Sequence, residues 1–163
     1  MKPRRAVLLF TSLAMLALRV ASGGADAPIQ IDPDSIAWKD GPLTIPPGAR
    51  SAILEGDPKR DGIFTMRVSF PPNYLIPLHS HARDERITVL DGTVFVGMGD
   101  AVDRTKETRF GAGAFYVTPT PLRHWVRTGE EGALLQATGL GPWTVDYVHP
   151  EDDPRKSNKE SEP

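Results

Sequence analysis

Apolar and polar residues alternate along much of the chain, and this alternation predicts short β-strands. Phe64, Met66 and Val68 share one face of one such segment, with polar residues between them. Similar short runs are SAILEG, GAGAFYVTP, HWVRTG, ALLQATGLG and WTVDYV. Only AVDRTKETRF suits a helix, and only of a turn or two. Many short strands at regular spacing are typical of a sandwich or barrel, so we predict an all-β jelly-roll β-barrel in a single domain.

One longer segment, ERITVLDGTVFVGMG, contains the dipeptide Asp91-Gly92 between two apolar runs. Both residues tolerate positive φ, which the tight turn of a two-residue hairpin requires. We therefore predict two strands joined by a hairpin at this dipeptide.

The first 27 residues have the order of a secretory signal peptide, with a basic start, an apolar run and then small residues. The apolar run from Ala6 to Leu18 is shorter than the roughly 20 residues of a membrane-spanning helix. A retained anchor and a buried N-terminal helix are the alternatives. Arg4-Arg5 leaves twin-arginine export open beside general secretion. We expect a signal peptide over 1–27 and an exported protein, periplasmic or secreted.

The two flanks of the barrel differ in composition. Residues 28–47 are punctuated by prolines and contain Trp38, so we predict an extended N-terminal arm anchored by this tryptophan. Residues 149–163 are charged and polar, which predicts a disordered polar tail. The barrel is assigned to residues 48–148.

Charge and cysteine content narrow the choice of partners. Loss of residues 1–27 removes four of the 19 basic and one of the 21 acidic residues, which changes the formal net charge from −2 to −5. This balance argues against nucleic acid and anionic membranes as partners. The absence of cysteine excludes disulfides and thiolate metal ligands. We expect a small-molecule ligand or substrate, no nucleic acid and no stable membrane span in the mature protein, with a homodimer as an open alternative.

Candidate chemistry is concentrated in HSHARDE, where His79, His81 and Glu85 keep the same parity in an extended segment. Imidazole and carboxylate groups are suitable ligands for a divalent first-row metal. His124, which opens a later strand, is a fourth candidate. With Arg83 beside it, the segment could equally form an ordinary charged loop. His149 precedes a proline and the acidic tail, so we predict a solvated side chain there.

The spacing of these residues resembles the two sequence motifs of the cupin family. The first motif, G-x5-H-x-H-x3-E-x6-G, matches at His79, His81, Glu85 and Gly92, with Asn73 in place of the leading glycine. The second motif, G-x5-P-x-G-x2-H-x3-N, matches at Gly113, Pro119 and His124, and departs at Pro121 and Thr128, two positions expected in turns.

The resemblance implies a cupin-type jelly roll in which His79, His81, Glu85 and His124 bind one divalent transition metal. Iron, manganese, nickel, copper and zinc all suit nitrogen and oxygen ligands without sulfur. Further candidates for the pocket lining are Ile87 and Val89, which continue the parity of Glu85, the polar residues Gln136 and Thr138, and the aromatic Tyr116. Plain core packing is the open alternative for Ile87, Val89 and Tyr116, and an outward orientation is the open alternative for Gln136 and Thr138.

Three functions are compatible with such a site. The first is a metal-dependent, dioxygenase-like oxidoreductase that acts on a small organic molecule. The second is a non-oxidative cupin isomerase or lyase, and the third is a non-catalytic module that binds a small molecule or a metal. No glycine-rich phosphate loop and no G-x-S-x-G nucleophile motif occurs in the sequence.

Overall fold

The structure, a computed structural model, describes residues 27–157. Nine antiparallel strands form one sheet that curls into a half-barrel. Their bounds are β1 Lys39–Asp40, β2 Arg50–Glu55, β3 Gly62–Phe70, β4 Leu75–Ser80, β5 Glu85–Met98, β6 Thr108–Gly111, β7 Phe115–Thr118, β8 His124–Gly141 and β9 Asp146–Tyr147. The prediction of an all-β jelly roll in a single domain is confirmed.

The two long strands, β5 and β8, pair with each other along most of their length and hold the barrel together. The first half of β5 also pairs with β7, and its second half pairs with β6. The second half of β8 pairs with β3, while its first half pairs with β4. Both long strands therefore belong to both halves of the curled sheet.

The predicted hairpin at Asp91-Gly92 is wrong, because the chain continues through this dipeptide as the single strand β5. The pairing of β5 with β8 shifts register on both sides of the dipeptide. Gly92 has a φ of 73° and Gly132 in β8 has a φ of 77°. A Cβ at Gly92 would lie 2.2 Å from the carbonyl oxygen of Gly132. The positive φ values at Gly92 and Gly132 therefore belong to a β-bulge, at which the two long strands bend together.

Alternation in the strands separates the interior from the surface. Phe64, Met66 and Val68 of β3 are buried, as their spacing predicts, and the residues between them are more exposed. The core inside the half-barrel combines such positions from several strands, including Ile76, Ile87, Val89, Val94, Val96, Val126, Leu135 and Ala137.

The N-terminal arm, residues 28–47, crosses the barrel. It contains a short 3-10 turn, Pro33–Ser35, and strand β1, which pairs with β2. Trp38 is only half-buried, whereas Ile45 is buried in the core. Two tyrosine hydroxyls hold this part of the arm, because Tyr147 donates to the carbonyl of Thr44 at 3.0 Å and Tyr74 donates to that of Pro46.

The segment after β9 differs from the predicted disordered tail as far as it is described. Pro150–Asp152 forms a 3-10 turn and Pro154–Ser157 forms one turn of α-helix. Asp153 is buried and pairs with Arg155, whose guanidinium also donates to the carbonyl of Val145. These contacts order the segment, and His149 beside it is exposed.

The predicted signal peptide lies, except for its last residue, outside the described part of the chain, and so does the end of the predicted tail. Among residues 27–157, no helix combines the length and the hydropathy needed to cross a membrane.

Candidate metal centre

The four candidate ligands come from three strands that meet inside the half-barrel. His79 lies near the end of β4 and His81 follows that strand, while Glu85 begins β5 and His124 begins β8. His79 and His124 are direct partners in the antiparallel pair of β4 and β8, so their side chains share a face. All four side chains are buried.

Each histidine is fixed by a hydrogen bond from its Nδ1 to a backbone carbonyl. The carbonyl acceptors are Pro77 for His79 at 2.7 Å, Thr144 for His81 at 2.6 Å and Leu122 for His124 at 3.4 Å. A proton on Nδ1 leaves the lone pair on Nε2, and in His81 and His124 this atom faces the Glu85 carboxylate. This arrangement is the one in which metal-binding histidines are usually held.

The ligand atoms of His79, His81 and His124 lie within 4.8 Å of one another. Glu85 completes the group, with its Oε2 at 3.4 Å from Nε2 of His81 and 4.0 Å from Nε2 of His124. The resemblance to the cupin motifs predicted these four residues as the ligands, and the structure places them together.

The electrostatics of the group divide the histidines into two kinds. Burial lowers the pKa of His79 well below its usual value and lowers that of His124 to about 4. Burial also lowers the pKa of His81, but the charge of Glu85 at 3.4 Å outweighs burial, so the pKa of His81 is raised. Burial raises the pKa of Glu85, but the charge of His81 outweighs burial, so the pKa of Glu85 is lowered. In the metal-free site these directions favour a charged pair of His81 and Glu85 beside two neutral imidazoles.

The residues present fit a divalent metal ion. Nε2 of His81 and Nε2 of His124 are buried and have no hydrogen-bond partner among the described residues, although buried polar atoms nearly always have one. A metal ion that accepts both lone pairs removes this deficit. Three imidazoles and one carboxylate suit first-row divalent metals, and the donor set does not select one of them.

The sequence also matches a protein-family model, described as a cupin domain, over residues 66–135. This segment includes both histidine motifs and the strands that carry them. Residues 66–135 therefore form a cupin domain.

Solved cupin structures share the fold at low sequence identity. The polyketide cyclase RemF from Streptomyces resistomycificus is 18% identical, with a TM-score of 0.61 over 80% of this chain and 92% of that chain. A proposed acetylacetone dioxygenase from Methylibium petroleiphilum PM1 is 19% identical, with a TM-score of 0.61 over 80% and 88%. An RmlC-like cupin from Shewanella frigidimarina NCIMB 400 is 15% identical, with a TM-score of 0.54 over 70% and 91%. No curated protein matches the sequence significantly.

The ligands of this cupin line a cavity of about 50 Å³. Ile87 and Tyr116, two of the predicted pocket residues, line it as well. Most of the other lining residues are apolar, and they include Pro42, Ile45, Met66, Val68, Leu135 and Val145. Burial, and then the charge of Glu85, raises the pKa of Tyr116 well above its usual value, so the phenol stays protonated.

Three other pocket predictions have different outcomes. Val89 is fully buried in the core but does not line the cavity. Gln136 and Thr138 are placed on the outer face of β8, which is the outward alternative. Gln136 accepts a hydrogen bond from Arg67 at 3.4 Å, and the Thr138 hydroxyl lies 3.2 Å from that of Thr65. Leu135 and Ala137, which alternate with Gln136 and Thr138 along β8, face inward.

Sequence reasoning missed two residues of the site. Trp143 stacks on the His81 ring, with 4.6 Å between ring centroids and 23° between planes, and it lines the cavity. Thr144 supplies the carbonyl that fixes His81. Both lie in the connection between β8 and β9, in the segment WTVDYV, where the aromatic residue after Gly141-Pro142 is the only sequence signal.

Proposed function

We propose that this cupin is a metal-dependent, dioxygenase-like enzyme that binds one divalent transition metal and acts on a small organic molecule. One observation carries the proposal. The Nδ1 atoms of His79, His81 and His124 are hydrogen-bonded to backbone carbonyls, and one ligand atom of each histidine lies within 4.8 Å of the others, with the Glu85 carboxylate beside His81 and His124. This is a prearranged set of buried donors.

The donor set holds one negative charge against the two positive charges of a divalent ion. When bound, such a metal supplies Lewis acidity and, if it is redox-active, the one-electron chemistry that dioxygen requires. The chain contributes the rest. Backbone carbonyls orient the imidazoles, and the apolar wall excludes water and so strengthens the electrostatic interactions inside.

The cavity indicates the size and polarity of the substrate. Its volume of about 50 Å³ is small, so the candidate ligands are reached by a very small molecule or by the oxygen-bearing end of a larger one. None of the described residues that line it is a lysine or an arginine, so no cationic side chain is available to bind an acidic group. Tyr116 lines this cavity, and its hydroxyl can donate to a substrate oxygen. We therefore propose a small, largely apolar molecule that carries a carbonyl, enol or phenol oxygen.

Tyr116 also favours a second candidate, a non-oxidative isomerase or lyase. A buried phenol that stays protonated can donate a hydrogen bond to a substrate oxygen and so stabilise the negative charge that develops there in an isomerisation or elimination. The cupin fold does not choose between the two, since the similar structures are described as a cyclase and as a proposed dioxygenase.

The test begins with metal analysis of the purified protein, followed by turnover of compact carbonyl compounds and phenols with and without oxygen. The oxidative proposal expects oxygen uptake that stops in His81→Ala and Glu85→Ala but continues in Thr138→Val, a control on the outer face. Turnover under nitrogen would favour the isomerase or lyase. Activity of the metal-free protein would contradict both candidates.

We also propose that the protein is exported, with residues 1–27 as the cleaved signal. The support is the sequence pattern of that segment. Expression of the full chain in a Gram-negative host, followed by N-terminal sequencing of the periplasmic protein, tests this. A cytoplasmic product that keeps Met1 would contradict it.

A further inference from the structure

Thr118, the last residue of β7, has a buried hydroxyl that the site described above does not use. The side chain is 1% exposed, and its Oγ1 has no hydrogen-bond partner among residues 27–157. A buried hydroxyl without a partner loses its hydration and gains nothing in return. Such an atom in a folded protein therefore calls for an explanation.

The pairing of β5 with β7 places Thr118 directly opposite Glu85. The next inward pair along the two strands is Ile87 with Tyr116, and both of these residues line the cavity. Side chains of directly opposed residues lie on the same face of a sheet, with Cβ atoms roughly 4.5–5.5 Å apart. On the other side of Glu85, β8 presents Gly139, which has no side chain. Of the two residues paired directly with Glu85, Thr118 is thus the one that offers a side-chain hydroxyl.

The Glu85 carboxylate has one oxygen that matches this donor. Its close contacts, to Nε2 of His81 and Nε2 of His124, are both made by Oε2. Its Oε1 makes neither of these contacts. A carboxylate oxygen turned away from the two histidines and a buried donor without a partner therefore belong to residues that face each other across two strands.

We propose that Thr118 is a positioning residue for Glu85, whose hydroxyl donates to Oε1 while Oε2 faces the metal. The inference rests on the proposed metal centre and adds to its four candidate ligands a fifth residue, which orients one of them. A hydrogen bond to the oxygen that does not bind the metal fixes the rotation of the carboxylate. Loss of such a partner typically lowers metal affinity about 10–100-fold.

This role predicts two effects of opposite sign for Thr118→Val, which keeps the shape of the side chain and removes the hydroxyl. In the metal-free protein the buried hydroxyl lacks a partner, so its removal should raise the melting temperature by a few degrees, about 2–4 °C per kcal/mol gained. In the metal-loaded protein the same change should weaken binding. Thr118→Ser, which keeps the hydroxyl, should retain most of the affinity.

The experiment measures cobalt(II) affinity by competition with a chelator and follows the visible spectrum of the bound cobalt(II). Melting temperatures of the metal-free proteins are measured in parallel. Thr138→Val is the matched control, since its hydroxyl lies on the outer face of β8 beside that of Thr65. We expect cobalt(II) affinity to fall at least about tenfold in Thr118→Val and to be unchanged in Thr138→Val.

Two results separate this inference from the proposed function. If the wild-type protein does not bind cobalt(II), the metal centre itself is wrong and the positioning role falls with it. If the wild type binds and Thr118→Val binds equally well, only the positioning role is overturned. It is also overturned if Thr118→Ser loses as much affinity as Thr118→Val, or if Thr118→Val lowers the melting temperature of the metal-free protein.

Discussion

Gly97 in β5 is covered by the ring of Trp125, its direct partner in β8. A Cβ at Gly97 would lie 1.9 Å from Cζ2 and 2.1 Å from Cε2 of that ring, well inside any contact distance. Trp125 is 1% exposed, so its ring has no free space to move into. Its Nε1 also donates to Glu107 at 3.0 Å, and a displaced ring would lose this hydrogen bond. We predict that Gly97→Ala is strongly destabilising.

The magnitude follows from two contributions. Overpacking of a close-packed interior costs about 1–3 kcal/mol. The loss of a hydrogen bond to a charged group costs about 1.5–3 kcal/mol. Together they amount to about 2.5–6 kcal/mol, a large part of the roughly 5–15 kcal/mol that stabilises a typical domain. For a chain of this length, we expect the melting temperature to fall by roughly 5–24 °C.

Thermal unfolding of the metal-free protein, followed by circular dichroism, measures the effect. Gly111→Ala is the matched control, because the nearest atom to its Cβ would be Nη1 of Arg109 at 3.6 Å, the end of a flexible side chain. If Gly97→Ala lowers the melting temperature no more than Gly111→Ala does, the packing of Trp125 on Gly97 is refuted.

Three further predictions concern charge, metal and substrate. Burial raises the pKa of Glu107, but the hydrogen bonds from Arg127 and Trp125 outweigh burial, so the pKa of Glu107 is lowered. The stabilisation of the fold by these hydrogen bonds is therefore present above the unfolded-state pKa and is lost as pH falls through the folded-state pKa. In urea unfolding, Glu107→Gln should therefore lose more stability at about pH 7 than at about pH 3, and an equal loss at both would contradict this. Zinc at about a hundredfold excess over its dissociation constant should add about 2.7 kcal/mol to the free energy of unfolding. A chelator should reverse that gain, and His124→Ala should abolish it. Tyr116→Phe should weaken binding of a carbonyl or phenol ligand to the zinc-loaded protein by about fivefold, measured by calorimetry, and leave zinc affinity unchanged. A parallel loss of zinc affinity would argue against a substrate-contacting role.

Short-range patterns were sufficient to predict most of the strand positions, and the motif resemblance was needed to select the four candidate ligands. Alternation at Phe64, Met66 and Val68 identifies the inner face of β3, because the period of a strand does not depend on its partner. The resemblance to the cupin motifs brought His124 together with His79 across 45 residues of sequence. The leading position of the first motif is Asn73, whose φ of 55° in the structure is the left-handed conformation that a glycine would adopt there.

The failures share one physical cause, which is dependence on a distant partner. Asp91-Gly92 allows positive φ in a hairpin and in a bulge alike, and the choice is made by β8, which pairs with β5 before and after the dipeptide. Thr128 was expected in a turn but lies within β8. Its hydroxyl donates to the carbonyl of Pro71 and accepts from the amide of Tyr74, both far away in sequence. Trp143 could not be recognised because only the fold brings it onto His81.

The four candidate ligands are separated along the chain, and this separation has a consequence for how the proposed metal centre acquires its ion. Three of them lie between residues 79 and 85, whereas His124 joins them only after β8 has paired with β4. A partly folded chain therefore offers at most an incomplete donor set, and full coordination marks the end of folding. The identity of the bound metal then depends on the compartment in which β8 docks, since that compartment supplies the metals available at that moment.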